Sequence, residues 1–353
     1  MLEHYVPRGY LRHFAPNDSD VISRYSLVEK HGGGDYYPPR ERYPIKKAAA
    51  LEDFAEGWLE TDDTSYAERE MIESVRKLST DEKLTEDDIA GISTFIAFQH
   101  SRTPKSKLFY FARQRISHLL DENRPELPDK YESEWKNAVV HNVEQGSQAF
   151  QFMGWRIVEN HTDIPFITSD KPDIHYFQAD FEDVSSTSTQ MRGREIFMPL
   201  DADHTLIMLD PESFRVEGQH PGTEVERLQI SDRKEIHKLN LLQGVNAFQE
   251  VFGPVGEGTY LKEIIEVLTE YYPHENCIRG NQGDLETLMR ATELASKNKS
   301  NAEQKLYEQE YKSTIQARRY KTHAIWMLNH NLRFVDNLRR RDPVEGHWEE
   351  IFL

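Results

Sequence analysis

Phe152-Met153-Gly154-Trp155-Arg156-Ile157-Val158 is where the hydrophobic period of this chain changes. Apolar, β-branched and aromatic side chains crowd a run too short for an ordinary helix, so it reads as a strand. Three similar runs follow: Ile164-Pro165-Phe166-Ile167-Thr168, Glu195-Ile196-Phe197-Met198 and Thr205-Leu206-Ile207-Met208-Leu209. They are short and separated by turn residues, as in an antiparallel or mixed sheet. Upstream, residues 47–150 read as mostly helical. Thr85 precedes Glu86-Asp87-Asp88, an N-cap with a negative first turn. Ile89, Ile92, Phe95, Ile96 and Phe98 then surround that helix with apolar side chains, which predicts burial on most sides. Further helices are expected over 105–120 and 129–150. Downstream, Asp232 with Glu235 opens a helix over 233–251, and more helices fit 258–271, 283–296 and 302–320. Val21 to Leu27 reads as a strand. The Gly32-Gly33-Gly34 and Pro38-Pro39 runs mark 31–44 as a loop, and 180–193 reads as another. The order of helices, strands and helices predicts an α+β fold: a helical N-terminal part, a central antiparallel or mixed sheet and a helical C-terminal part. We expect one compact domain over 1–353, with 251–353 as a helical extension.

The 353 residues carry 43 Lys+Arg against 61 Asp+Glu, a net charge of −18. Such a charge repels nucleic acid from the molecule as a whole and leaves it only a local basic site. Arg318-Arg319-Tyr320-Lys321 and Arg339-Arg340-Arg341 are the basic clusters, and solvated helix faces account for them equally simply. The acidity fits a salt-loving cytoplasm or an ordinary acidic surface. No apolar run approaches the roughly 18 residues of a spanning helix, and Met1-Leu2-Glu3-His4-Tyr5 lacks a secretory pattern. Cys277 is alone, which excludes an intrachain disulfide and a multi-cysteine zinc site. A soluble cytoplasmic protein is expected. No cofactor and no partner is specified.

His4-Tyr5-Val6-Pro7-Arg8-Gly9-Tyr10-Leu11-Arg12-His13-Phe14 resembles the opening of the domain-of-unknown-function family numbered 4238, whose members begin His-His-Tyr-Val-Pro-Gln-x-Tyr-Leu-Arg-x-Phe. Gln99-His100-Ser101-Arg102-Thr103-Pro104 and Phe166-Ile167-Thr168-Ser169-Asp170-Lys171-Pro172 fit the same family, as does Met198-Pro199-Leu200 with the Leu239-Asn240 helix. The resemblance covers roughly residues 3 to 250. It departs from the pattern at Glu3 and Arg8, so no role needing paired histidines carries over. It implies membership and fold, and brings no activity with it.

Several polar residues stand at the tips of apolar elements. His4 could act as a general base, a phosphate contact or a metal ligand, or could bond backbone and pin the N-terminus. Arg8 and Arg12 share a face if their stretch is helical, and could receive an anion. Gln99 and Arg102 lie three apart at the end of a greasy helix, where a guanidinium needs a carboxylate or an anionic ligand. Thr168, Ser169 and Asp170 cap a strand: Asp170 suits a general acid/base or cation contact, and a turn into Lys171-Pro172 is the plain alternative. Asn240, with Gln243 one turn on, reads as a buried amide pair. His-Glu-x-x-His, paired Cys and calcium-loop signatures are absent, and a scattered site from His4, His100 and Asp170 has no spacing to support it. Two functions fit. One is an enzyme on a phosphate-bearing substrate, a nucleotide or nucleic acid, with Arg102 as clamp and His4 and Asp170 as catalytic groups. The other is a non-catalytic binding or regulatory protein whose polar motifs are structural. On the first, Arg102→Ala and His4→Ala cost little stability; on the second, they cost several kcal/mol, about 3–5 for a buried pair.

Overall fold

The computed structural model describes residues 1–16, 19–29, 36–80, 82–107, 110, 131–177, 193–271, 332–336 and 338. In chain order its strands are β1 (Leu2–His4), β2 (Val21–Ser26), β3 (Arg40–Pro44), β4 (Ala50–Glu52), β5 (Gly154–Asn160), β6 (Thr168–Ser169), β7 (Ile174–Phe177), β8 (Arg194–Pro199), β9 (His204–Leu209), β10 (Glu226–Ile230) and β11 (Glu250–Gly253). Its helices are α1 (Arg8–Arg12), α2 (Asp62–Lys77), α3 (Glu86–Ser101), α4 (Tyr131–Gln151), α5 (Arg233–Asn246), α6 (Gly258–Tyr271) and α7 (Arg333–Asp336). The fold is α+β.

The central sheet has the order β10-β5-β9-β8-β7, with β10 parallel to β5 and the other pairs antiparallel. Its continuous apolar runs are explained by cover on both faces. Ile196 and Met198 of β8, Leu206 and Met208 of β9, and Trp155 and Ile157 of β5 join a cluster with Phe95 and Ile96 of α3 and Trp135 and Phe150 of α4. The alternate residues, Phe197, Ile207, Leu209 and Val158, pack with Ile236, Leu239 and Leu242 of α5. The helix α3 begins as expected: Thr85 Oγ1 accepts from the Asp88 N–H at 3.1 Å, and Asp88 Oδ2 accepts from the Thr85 N–H at 2.9 Å.

A second sheet, β3-β2-β11-β6, draws its strands from 21 to 253; β2 is the strand expected over Val21 to Leu27, whereas β3 and β11 were not expected as strands. Residues 40–44, expected as loop, pair with β2. The run 164–168 is mostly not a strand: only Thr168 and Ser169 pair, with β11, because the Ile167 N–H donates to Asn240 Oδ1 instead of a neighbouring strand. The helix expected over 233–251 stops at Asn246, and 250–253 is a strand. Asp232 does cap it, through the Lys234 N–H, but Glu235 bonds Lys238 and the Arg333 N–H instead of closing a box. The expected helices over 283–296 and 302–320, most of the 105–120 helix, most of the 180–193 loop and both basic clusters lie outside the described residues.

Candidate functional site

One face of α5 carries amides at Asn240, Gln243 and Asn246, spaced by three. They read along the backbone of the extended segment 165–173, of which only Thr168 and Ser169 pair as a strand. Asn240 Nδ2 donates to the Pro165 carbonyl at 2.8 Å, and its Oδ1 accepts from the Ile167 N–H at 3.1 Å. Gln243 Nε2 donates to the Pro172 carbonyl and its Oε1 accepts from Ser169 Oγ. Asn246 Nδ2 reaches the carbonyls of Lys171 and Asp173 at 2.6 and 2.9 Å. The result is a segment held at regular intervals, with Asp173 delivered at its end.

The residues singled out in the sequence fall into separate networks. His4 is buried; its Nδ1 lies 3.0 Å from Glu60 Oε1 and its Nε2 3.2 Å from the Lys46 carbonyl. Arg8 is exposed on α1. Arg102 is fully buried: Nε donates to the Tyr5 carbonyl at 3.1 Å and to Gln99 Oε1 at 3.3 Å, Nη1 bonds Glu68, and the guanidinium lies over the Phe98 ring. Gln99 Nε2 donates to the same Tyr5 carbonyl. Thr168 Oγ1 meets the Tyr10 hydroxyl at 2.9 Å. Asp170 Oδ1 and Oδ2 accept from the Phe248 and Gln249 N–H groups at 2.7 and 2.6 Å. Arg102 therefore meets Glu68, and Asp170 meets the chain that follows α5. Gln99 and Arg102 are brought together, Ser169 and Asn240 share the α5 ladder, and His4 and Asp170 stand apart.

A different constellation forms where α3 ends. His100 Nδ1 lies 2.5 Å from Asp173 Oδ2, and His175 Nε2 lies 2.9 Å from the same oxygen. The two imidazoles stack with centroids 3.9 Å apart and 24° between planes. Register explains the placement. His175 pairs with Ile196, so it shares a sheet face with Ile196 and, diagonally, with Arg194. That face looks toward α3 and α4. Arg194 Nη2 approaches His175 Nδ1 at 2.5 Å, and its guanidinium lies over the Phe150 ring at 4.9 Å. Asp173 is fully buried, the His175 side chain is 7% exposed and that of His100 is 38% exposed. Burial alone would raise the Asp173 carboxyl, but the two adjoining imidazoles hold it far below the usual carboxylate range. Burial, then His100 and Arg194, push the His175 imidazole well down. Burial also lowers His100, partly offset by Asp173. Arg194 falls to about 10 through burial and still carries its charge at neutral pH. The cluster is thus a carboxylate, two neutral imidazoles and a guanidinium.

Of these, only His100 drew attention in the sequence, as a member of a scattered site with His4 and Asp170. The available signal for the others was a His flanked by apolar residues on a strand, Ile174-His175-Tyr176, two residues after an Asp. Asp173, His175 and Arg194 come from a strand pair whose register the sequence does not display.

Fold and cluster together define an α+β protein with a histidine–carboxylate centre at a helix end. The chain belongs to the family described as Protein of unknown function (DUF4238), whose model matches residues 3–254. That span contains every residue of the cluster. No curated protein and no solved structure matches the chain.

Proposed function

We propose that this protein is a hydrolytic enzyme acting on a phosphate-bearing substrate, a nucleotide or nucleic acid, with its working centre at His100, Asp173, His175 and Arg194. The observation that carries the reading is a fully buried carboxylate between two imidazoles, the outer of which keeps 38% of its side chain in solvent. That is the layout of a water-activating or proton-moving group backed by a fixed carboxylate. Arg194 stays cationic, and Lys171 lies close enough for its charge to act on His100. These two make a locally positive place in a molecule of net charge −18, which suits an anionic substrate. The lone Cys277 and the absence, among the described residues, of a helix long and apolar enough to cross a membrane support a cytoplasmic setting. A cluster joining Tyr5 to Phe252 supports one domain.

The test is turnover of phosphate mono- and diesters and nucleotides, with and without Mg²⁺ or Mn²⁺. We expect release of product, and a loss of about 100-fold or more in His100→Ala. No turnover across the set, or an unchanged rate in His100→Ala, contradicts the reading. A second reading, a non-catalytic binding or regulatory protein, is favoured by one observation: His4, Gln99 and Asp170 spend their polar groups inside the fold. On that reading His100→Ala changes no rate because there is none.

A further inference from the structure

We propose that His100, Asp173 and His175 hold a divalent transition-metal ion, through His100 Nδ1, the Asp173 carboxylate and His175 Nε2. The inference deepens the proposed function, since it names what would activate water at that centre.

Ligand atoms from these three residues lie within 4.8 Å of one another, and they come from the end of α3 and from the segment that runs into β7. His100 sits in the last turn of α3. Asp173 has its carbonyl held by Asn246, and the preceding carbonyl is held by Gln243. His175 is set by the pairing of β7 with β8. Two imidazoles and one carboxylate are a donor set for a catalytic ion, which leaves positions for water or substrate.

A second observation points the same way. Asp173 Oδ1 is buried and makes no hydrogen bond among the described residues. His175 Nε2, also buried, lies 2.9 Å from Asp173 Oδ2. Buried polar atoms in folded proteins are nearly always satisfied. Asp173 Oδ1 is the exception in this cluster. A cation held by Asp173, His175 and His100 satisfies it.

Arg194 opposes this and gives the proposal its sharpest test. A guanidinium only donates, so Arg194 Nη2 at 2.5 Å requires a lone pair on His175 Nδ1. The proton of the neutral ring then sits on Nε2. Metal on Nε2 moves that proton to Nδ1, and likewise moves the His100 proton from Nδ1 to Nε2. Each ring keeps one proton, and none is lost. His175 Nδ1–H now points at a donor, so Arg194 must leave it for the Phe150 face that it already covers. Glutamine at that position would instead offer an acceptor, the partner that a metal-bound imidazole normally has.

The experiment is calorimetric titration of Zn²⁺ into full-length protein stripped with EDTA, with Co²⁺ absorption as a second readout. Wild type is expected to bind one ion per chain. His175→Ala and Asp173→Asn should bind at least about 100-fold more weakly, and Arg194→Gln about tenfold or more tightly. Asp173 and His175 are buried, so their variants are checked by circular dichroism. His100→Ala, at a partly exposed position, tests ligation with less loss of buried packing, and its fold is checked in the same way. Absent saturable binding in wild type, or binding unchanged in His100→Ala, overturns the proposal. Bound metal without phosphate-ester turnover refutes the proposed function and leaves the site. Turnover by metal-free protein in EDTA refutes the site and leaves the function.

Discussion

His4 and Asp170 show how two polar residues in apolar settings acquire structural duties. Both ring nitrogens of His4 face acceptor oxygens that tie the N-terminus to Glu60 and Lys46. Asp170 holds two backbone N–H groups that would otherwise be unpaired. Burial raises its carboxyl to about 7, with Glu250 adding to the rise and the backbone donors opposing it. The folded carboxyl therefore keeps a proton over a range where the unfolded one has lost it. Its contribution to stability is complete below about pH 4 and is lost as pH rises through about 7. Urea midpoints at pH 5 and pH 8 check this: the advantage of wild type over Asp170→Asn should be smaller at pH 8. An equal or larger advantage there contradicts the assignment. For Arg102 the expectation from sequence, a ligand-binding group that costs little to remove, gives way to a buried pair. Arg102→Ala strips Glu68 and the Gln99 amide oxygen of this donor and leaves the Tyr5 carbonyl only its bond from Gln99 Nε2. The Glu68 side chain is 18% exposed, so the cost belongs at the low end of the range for buried pairs, about 3 kcal/mol. A midpoint unchanged at equal slope would restore the ligand reading.

At the scale of elements, α5 does two jobs that its sequence shows only in part. Its apolar side packs under the central sheet, and its amide side fixes residues 165–173. Gln243→Ala removes bonds to Ser169 and Pro172 and leaves buried groups unpaired, for about 1–3 kcal/mol. Hydrogen exchange should then show faster exchange at the Lys171 N–H, which bonds Ser169 Oγ. Protection equal to wild type would mean that the ladder does not set that segment. The buried amide pair was legible because Asn240 and Gln243 sit one turn apart beside leucines. The end of the helix was not. Val245-Asn246-Ala247-Phe248 carries no breaker; what stops α5 is Asp170, 78 positions from Phe248 in the chain, whose carboxylate accepts from the Phe248 and Gln249 N–H groups. Strands β5, β8 and β9 were legible because each carries a short run of β-branched, aromatic and other apolar side chains, such as Ile157-Val158, Ile196-Phe197-Met198 and Leu206-Ile207-Met208-Leu209. The second sheet was not, since β6 is only two residues long and β3 is mostly charged.

At the scale of the whole molecule, hydrophobic clusters pack around the sheets, and the largest joins Tyr5, Phe95, Trp155 and Phe252. Such a core should unfold in one step: fluorescence and circular dichroism transitions should coincide, and two separable transitions would contradict a single domain. The same packing brings the end of α3, the 165–173 segment and the edge strand β7 to one place. Asp170, in that segment, gives its carboxylate to the Phe248 and Gln249 N–H groups, and His4 lies against Glu60 and Lys46. On the proposed function, chemistry falls to His100 and its partners, and His4 sits in the framework, bonded to Glu60 and Lys46. The most direct measurement is the rate of phosphate-ester turnover per folded molecule in His100→Ala beside His4→Ala, each with its denaturant midpoint. The account predicts that His100→Ala folds and loses activity, its midpoint lowered by the loss of the contact to buried Asp173, whereas His4→Ala lowers the midpoint and keeps the activity of its folded fraction. Activity lost in His4→Ala and kept in His100→Ala would contradict it.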